Sequence, residues 1–153
     1  MPTLLLAGCG KMGGALLSRW IQLRPADVQH FTIVDPAPAR LPAENISLYK
    51  RLSDVPGDVT PDVVVFAVKP QQMDALLPDY AKRFRLRSSS FGGQVGAKPL
   101  YLSIAAGKTV AGLAEHLGTG AAIVRAMPNL PAVIGEGMTA LTANVNVSPA
   151  QKN

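Results

Sequence analysis

TLLLAGCGKMGGALLSRWIQL, residues 3–23, passes from one kind of backbone to another in three steps. TLLLAG is a short apolar run that ends on glycine, as a buried strand does where the chain must turn. GCGKMG, residues 8–13, fits the pattern G-x-G-x-x-G. MGGALLSRWIQL then sets Met12, Leu16, Trp20 and Leu23 three or four residues apart, the spacing of one helix face. Strand, glycine turn and helix in this order are the context in which the pattern binds a dinucleotide. Gly8 permits the tight turn, Gly10 lets the backbone come close to a pyrophosphate, and Gly13 lets the helix pack tightly on the strand. The helix start adds free N–H groups and a partial positive charge for phosphates. A glycine-rich turn without a ligand is the competing reading.

A site of this kind expects a carboxylate on the adenosine ribose about 20 residues further on, at the end of the second strand. Asp35 lies 22 residues past Gly13 and closes the β-rich run FTIVD. A carboxylate there accepts ribose hydroxyls and repels a 2′-phosphate, so Asp35 favours NADH over NADPH. Arg40, five residues on, offers a cation to a 2′-phosphate, and Asp35 also reads as the start of an Asp-Pro turn. Cys9 lies within the loop, where a helix N-terminus lowers a thiol pKa; the plainer reading is a side chain packed beneath the cofactor.

The rest of the chain repeats the alternation of strand and helix. Residues 37–60 are Pro-rich, with room for a short helix and a short strand. PDVVVFAVKP, residues 61–70, is a continuous apolar run suited to a central parallel strand covered on both faces. QQMDALLPDYAKRF continues as a helix that starts just after Pro70. PLYLSIAAG reads as a strand, and TVAGLAEHLG as a helix with Thr109 as N-cap and Gly118 as stop. AAIVRAMP is a sixth strand and GMTALTANVNV a seventh. The expected fold is α/β, a doubly wound, mainly parallel sheet in a single domain.

At 153 residues, with 48% hydrophobic and 16% charged residues, the chain suits one globular domain and contains no uncharged stretch long enough to span a membrane. No basic n-region precedes the first apolar run, so no export signal is read. The single cysteine cannot form an internal disulfide, which fits a reducing, cytoplasmic setting. The balance of 15 Lys plus Arg against 10 Asp plus Glu gives +5, which favours anionic ligands. Part of the excess is local: Lys82, Arg83, Arg85 and Arg87 stand in AKRFRLRSSSFGGQ, which reads as a solvated loop rather than a nucleic-acid patch. No metal site and no His/Asp or Cys/His constellation is evident. His30 precedes the second strand, and His116 reads as a favourable charge near a helix C-terminus.

Three further stretches complete a pattern: AVKPQ at 67–71, SIAAG at 103–107 and RAMPNLPAVIGEGMTAL at 125–141. With the glycine loop, in this order and spacing, the chain resembles the N-terminal domain of pyrroline-5-carboxylate reductase along nearly its whole length. The resemblance implies a Rossmann-type domain of an NAD(P)H-dependent oxidoreductase that makes L-proline from a small imino acid, with NADH or NADPH as cofactor. It implies that backbone from Ala7 through Gly8, Cys9, Gly10 and Lys11 to Met12 cradles the pyrophosphate. Ala67, Val68, Lys69 and Pro70 would line the adenosine and nicotinamide-ribose side, and Ile104, Ala105 and Ala106 would lie beside the nicotinamide. Met127, Pro128 and Asn129 would shape the substrate side, with the Asn129 amide available to a carboxylate or to its own backbone; Lys69 also reads as a snorkelling surface lysine.

The chain departs from the family pattern in three places. Leu130 replaces a threonine, and the Arg/Ser/Gly-rich passage 83–96 reads as a loop insertion. The family continues into a helical domain that makes its homodimer, whereas here residues 1–147 read as the nucleotide-binding domain and 148–153 as the start of a linker or helix toward such a domain. Ser148 is the expected N-cap there and Pro149 the first helical residue. No catalytic residue is identified within the chain. Two readings compete with reduction of pyrroline-5-carboxylate: a nucleotide-binding module without turnover, and another NAD(P)-dependent dehydrogenase of the hydroxyacid class.

Overall fold

The computed structural model describes residues 2–23, 28, 30–37, 45–85, 98–129, 131 and 136–152. Its described strands are β1 (Thr3–Ala7), β2 (His30–Val34), β3 (Ile46–Tyr49), β4 (Val63–Phe66), β5 (Leu100–Ser103), β6 (Ala122–Pro128) and β7 (Thr139–Ala143). They form one sheet in the order β3-β2-β1-β4-β5-β6-β7, parallel throughout except for β7, which runs antiparallel to β6. The order reverses between β1 and β4, the switch point beyond whose carboxyl ends such sheets bind ligands.

The helices are α1 (Lys11–Leu23), α2 (Pro70–Arg85), α3 (Val110–Leu117) and the short α4 (Pro149–Lys152). Consecutive strand residues face opposite layers, so β1 from Leu4 onward and all of β4 are apolar without a break. Leu5, Val64 and Phe66 join Met73, Leu77, Leu113 and Leu117 on one face, while Leu6 and Val65 join Leu17, Phe31 and Ile33 on the other. Phe66 is the hub of the first layer, edge-on to Tyr80 at 5.2 Å between ring centroids and stacked on Tyr101 at 6.1 Å.

The helix ends agree with the sequence reading. Thr109 Oγ1 accepts from Gly112 N at 3.0 Å, and Gly118, at φ 97°, ends α3. Ser148 and Gln151 make a reciprocal capping box: Gln151 N donates to Ser148 Oγ at 3.3 Å and Ser148 N to Gln151 Oε1 at 3.0 Å.

The helix expected after the glycine loop forms, with Gly13 and Leu17 buried and Trp20 and Ile21 packed against their layer. One expectation is corrected: Arg83 is not a loop residue. It lies within α2 and donates to the carbonyls of Val55 at 2.9 Å and Pro56 at 2.7 Å, so a helix runs where the loop insertion was expected to begin. Arg87, the Ser/Gly stretch 88–96, Arg40 and Leu130 lie outside the described residues. Among the described residues no helix is long and apolar enough to cross a membrane.

Candidate nucleotide site

The glycine loop stands at the carboxyl end of β1, and its neighbours fix it on three sides. Gly8 N donates to Val34 O at 2.9 Å, Ala67 N to Ala7 O at 2.8 Å, and Cys9 N to Asp35 Oδ2 at 2.6 Å. Gly8 has φ 90°, and a Cβ there would lie 2.8 Å from Val68 Cγ1 and 2.9 Å from the Ala67 carbonyl. A Cβ on Gly13 would lie 2.4 Å from Gly8 O, whereas one on Gly10 would have nothing within 4 Å. Two glycines are therefore demanded by packing, and the third faces open space. The first helical bond of α1 is Gly14 N to Gly10 O at 2.7 Å, which leaves the N–H groups of Lys11, Met12 and Gly13 without partners in the helix ladder. Those donors face the exposed Gly10, the geometry of an anion cradle at a helix N-terminus. Cys9 is buried at the foot of the loop, consistent with packing beneath a ligand.

Asp35 sits where the sequence reading placed it. It comes directly after the last residue of β2, and its carboxylate makes the turn that was one of its two readings: Oδ1 accepts from Ala37 N at 2.8 Å in an Asx turn, while Oδ2 accepts from the loop amide of Cys9. Asp35 N also donates to Tyr49 O at 2.9 Å, which ties the ends of β2 and β3 together.

Beside the loop opens a cavity of about 550 Å³ lined by Ala7, Val34, Pro36, Arg51, Leu52, Val68, Gln71, Gln72, Ala75, Leu76, Asp79 and Tyr80. Its walls are the carboxyl ends of β1, β2 and β4, the first turns of α2, and the segment after β3. The far wall of Arg51 and Leu52 was missed in the sequence, because it comes from the Pro-rich passage and no local pattern marks it. Arg51 forks onto Asp54, with Nε to Oδ2 and Nη2 to Oδ1 each at 3.3 Å. That hydrogen bond holds the Asp54 carboxyl below its ordinary range, supported by the Arg51 charge and by a bond from Ser53. Arg83 clamps the same segment from α2 through the carbonyls of Val55 and Pro56. Burial pushes the Tyr80 hydroxyl well above the ordinary phenol range.

The remaining predicted residues gather along the same edge of the sheet. Ala67 and Val68 succeed β4, Lys69 is exposed with its carbonyl accepting from Gln72 N at 2.9 Å, and Pro70 opens α2. Ile104, Ala105 and Ala106 succeed β5; Ile104 N donates to Phe66 O at 3.1 Å and Ala105 N to the buried Ser103 Oγ at 3.2 Å. Met127 and Pro128 end β6, and Asn129 grips β7 by two bonds with Met138, N to O at 3.1 Å and Oδ1 from N at 2.9 Å. The Asn129 side-chain oxygen thus serves its own backbone. Arg125, two residues before Met127, has a buried Nε with no hydrogen-bond partner among the described residues.

A family model described as NADP oxidoreductase, coenzyme F420-dependent, matches residues 3–86. The chain is 33% identical over 147 residues to a pyrroline-5-carboxylate reductase of Escherichia coli K12, covering 93% of this chain and 49% of the relative. It is likewise 33% identical over 152 residues to that of Synechocystis sp., covering 95% of this chain and 51% of the relative. The chain spans about half the length of the curated relatives it matches. In fold it matches a crystal structure of Plasmodium falciparum pyrroline carboxylate reductase with NADP bound, at a TM-score of 0.78 and 23% identity, over 99% of this chain and 51% of that one. The fold is that of a pyridine-nucleotide-binding domain.

Proposed function

The chain belongs to the family which that model describes, and from this premise we propose that it is the nucleotide-binding part of an enzyme that reduces 1-pyrroline-5-carboxylate to L-proline. The observation that carries the reading is sequence kinship along nearly the whole chain with reductases of that name. The geometry supports it, since the three motif stretches beyond the glycine loop end at neighbouring strand tips. In this reading residues 1–147 are the nucleotide-binding domain and 148–153 begin the link to a helical second domain.

The cradle fits a dinucleotide, because the loop glycine whose Cβ would meet nothing is the one a pyrophosphate must approach. Backbone from Ala7 to Met12 holds the pyrophosphate. Ala67, Val68, Lys69 and Pro70 border the ribose path. A bound reduced nicotinamide supplies a hydride from C4 to the imine carbon. The small residues Ala105 and Ala106, with Ile104, give its flat ring a surface. Met127, Pro128 and the Asn129 turn border the acceptor. For a protonated imine no strong acid is needed at the hydride step, and alignment of donor and acceptor carries the catalysis. Asp35 accepts from the ribose hydroxyls with the lone pairs its backbone bonds leave free and repels a 2′-phosphate, so NADH is the preferred cofactor.

Titration of the chain with NADH and with NADPH, monitored by nicotinamide fluorescence, tests the binding half: saturation by both, tighter with NADH, is expected, and no saturation with either sinks the reading. Oxidation of the reduced nucleotide with the imine as acceptor tests the chemistry. A second reading, nucleotide binding without turnover by this chain alone, is favoured by the open β6–β7 side, where Met127 and Leu141 are 53% and 66% exposed. Very slow turnover or none is expected of these residues by themselves.

A further inference from the structure

We propose that Arg51 covers the adenine ring at the mouth of the cavity beside the glycine loop, as a planar cationic lid rather than as a 2′-phosphate receptor; the inference rests on the nucleotide reading of that cavity. The walls are suited to a flat apolar ring: Val34, Leu52, Val68 and Leu76 line it from four different segments. Arg51 is the cation on that lining, and its side chain is 77% exposed, so its guanidinium stands at the rim. The two bonds to Asp54 hold the fork by its edge and leave the plane of the guanidinium for stacking. The Arg83 clamp on Val55 and Pro56 fixes the segment from which Arg51 projects.

The surrounding charge decides between base and phosphate. Arg51 is already paired with Asp54. Asp35 stands at the neighbouring strand end, joined to β3 through Tyr49 and next in sequence to Pro36, itself in the cavity wall. A phosphate dianion placed there would meet one shared guanidinium and the carboxylates of Asp35, Asp54 and the cavity-lining Asp79, whereas a neutral purine stacks on the guanidinium without that repulsion.

The test is titration of the full chain and of R51A and R51K with NADH, NADPH and reduced nicotinamide mononucleotide, which lacks the adenylate half. R51A is expected to weaken NADH and NADPH alike by roughly five- to tenfold and to leave the mononucleotide unchanged. R51K, with the charge but not the plane, should lose nearly as much as R51A. An unchanged NADH constant in R51A overturns the role of Arg51 while leaving the nucleotide site standing. So does a loss confined to NADPH and rescued by R51K, which would mark a phosphate contact, or an equal loss for the mononucleotide, which would mark general damage. Failure of the unaltered chain to bind any of the three overturns the nucleotide site and the Arg51 role with it.

Discussion

The two ends of the sheet's carboxyl edge differ in how far each is completed by its own residues. Around β1, β2 and β4 the glycine loop is bonded to Val34, Ala67 and Asp35, and the cavity wall is held by Arg83 and by Arg51 with Asp54. Around β6 and β7 every residue from Thr139 to Ala143 is exposed, Met138 is 78% and Leu141 66% exposed, and Arg125 Nε is buried without a partner among the described residues. Buried polar groups left unpaired and apolar strand residues left in water are both costly. The difference separates a half that is preorganised around the glycine loop from a half that is open.

The largest expected effect comes from the glycines, and it splits packing from ligand approach. Gly13→Ala drives a Cβ into the Gly8 carbonyl and should destabilise the domain by about 3 kcal/mol, seen in denaturant melts, while abolishing nucleotide binding. Gly10→Ala meets nothing and should leave the melt unchanged. Its nucleotide affinity should still fall at least about tenfold, ~1.4 kcal/mol, because the methyl occupies the pyrophosphate approach. If G10A binds like the parent chain, the preorganised half is preorganised for something else.

Asp35→Ala comes next. It takes the acceptor from the amides of Cys9 and Ala37, at a cost of about 1–2 kcal/mol, and loosens the loop. NADH should lose more affinity than NADPH, since the ribose acceptor and the repulsion of a 2′-phosphate disappear together. A parallel loss for both nucleotides would restrict Asp35 to the loop.

The contrast between the two halves also explains what could be read in advance. The glycine loop, β4 and the ends of α3 were legible because each is a local pattern with one physical cause: a positive-φ turn, a strand covered on both faces, a hydroxyl cap. Asp35 was legible by its distance from Gly13, although its bond to Cys9 was not. Arg51, Leu52 and Arg83 were not legible, because their roles depend on β3 pairing beside β2 and on α2 crossing the segment after it. Gly13 was legible, as the glycine that lets α1 pack tightly on the strand before it. Arg125 reads as one basic residue in a strand, and only burial reveals its unpaired nitrogen.

Tyr80 gives a pH test of the closed half. Its hydroxyl is raised in the fold by burial, so the folded state keeps a proton that the unfolded chain releases above about pH 10. The stability is present below that value and is lost as pH rises toward the folded-state titration, at up to about 1.4 kcal/mol per pH unit. Tyr80→Phe keeps the ring beside Phe66 and should flatten this alkaline loss in melts across pH 9 to 11, roughly the range in which free phenols titrate. An unchanged slope in Y80F would place the alkaline sensitivity elsewhere.

The smallest effect on stability, and the sharpest on the contrast itself, is expected at β7. Leu141 pairs with the buried Ala126, and Met127 with Ala140 on the other face, so apolar side chains stand in water on both sides of the β6–β7 pair. Their replacement should shift stability by no more than about 0.5 kcal/mol, since both residues are more than half exposed. L141S with M127S should also leave nucleotide affinity unchanged, because neither residue lines the cavity beside the glycine loop. What should change is association: an exposed edge strand without Lys or Pro pairs readily with another chain. Sedimentation of the parent should therefore depend on concentration, and that of the double variant much less. If the variant instead loses nucleotide affinity, the two halves are coupled through the sheet, and the open half takes part in holding the cofactor.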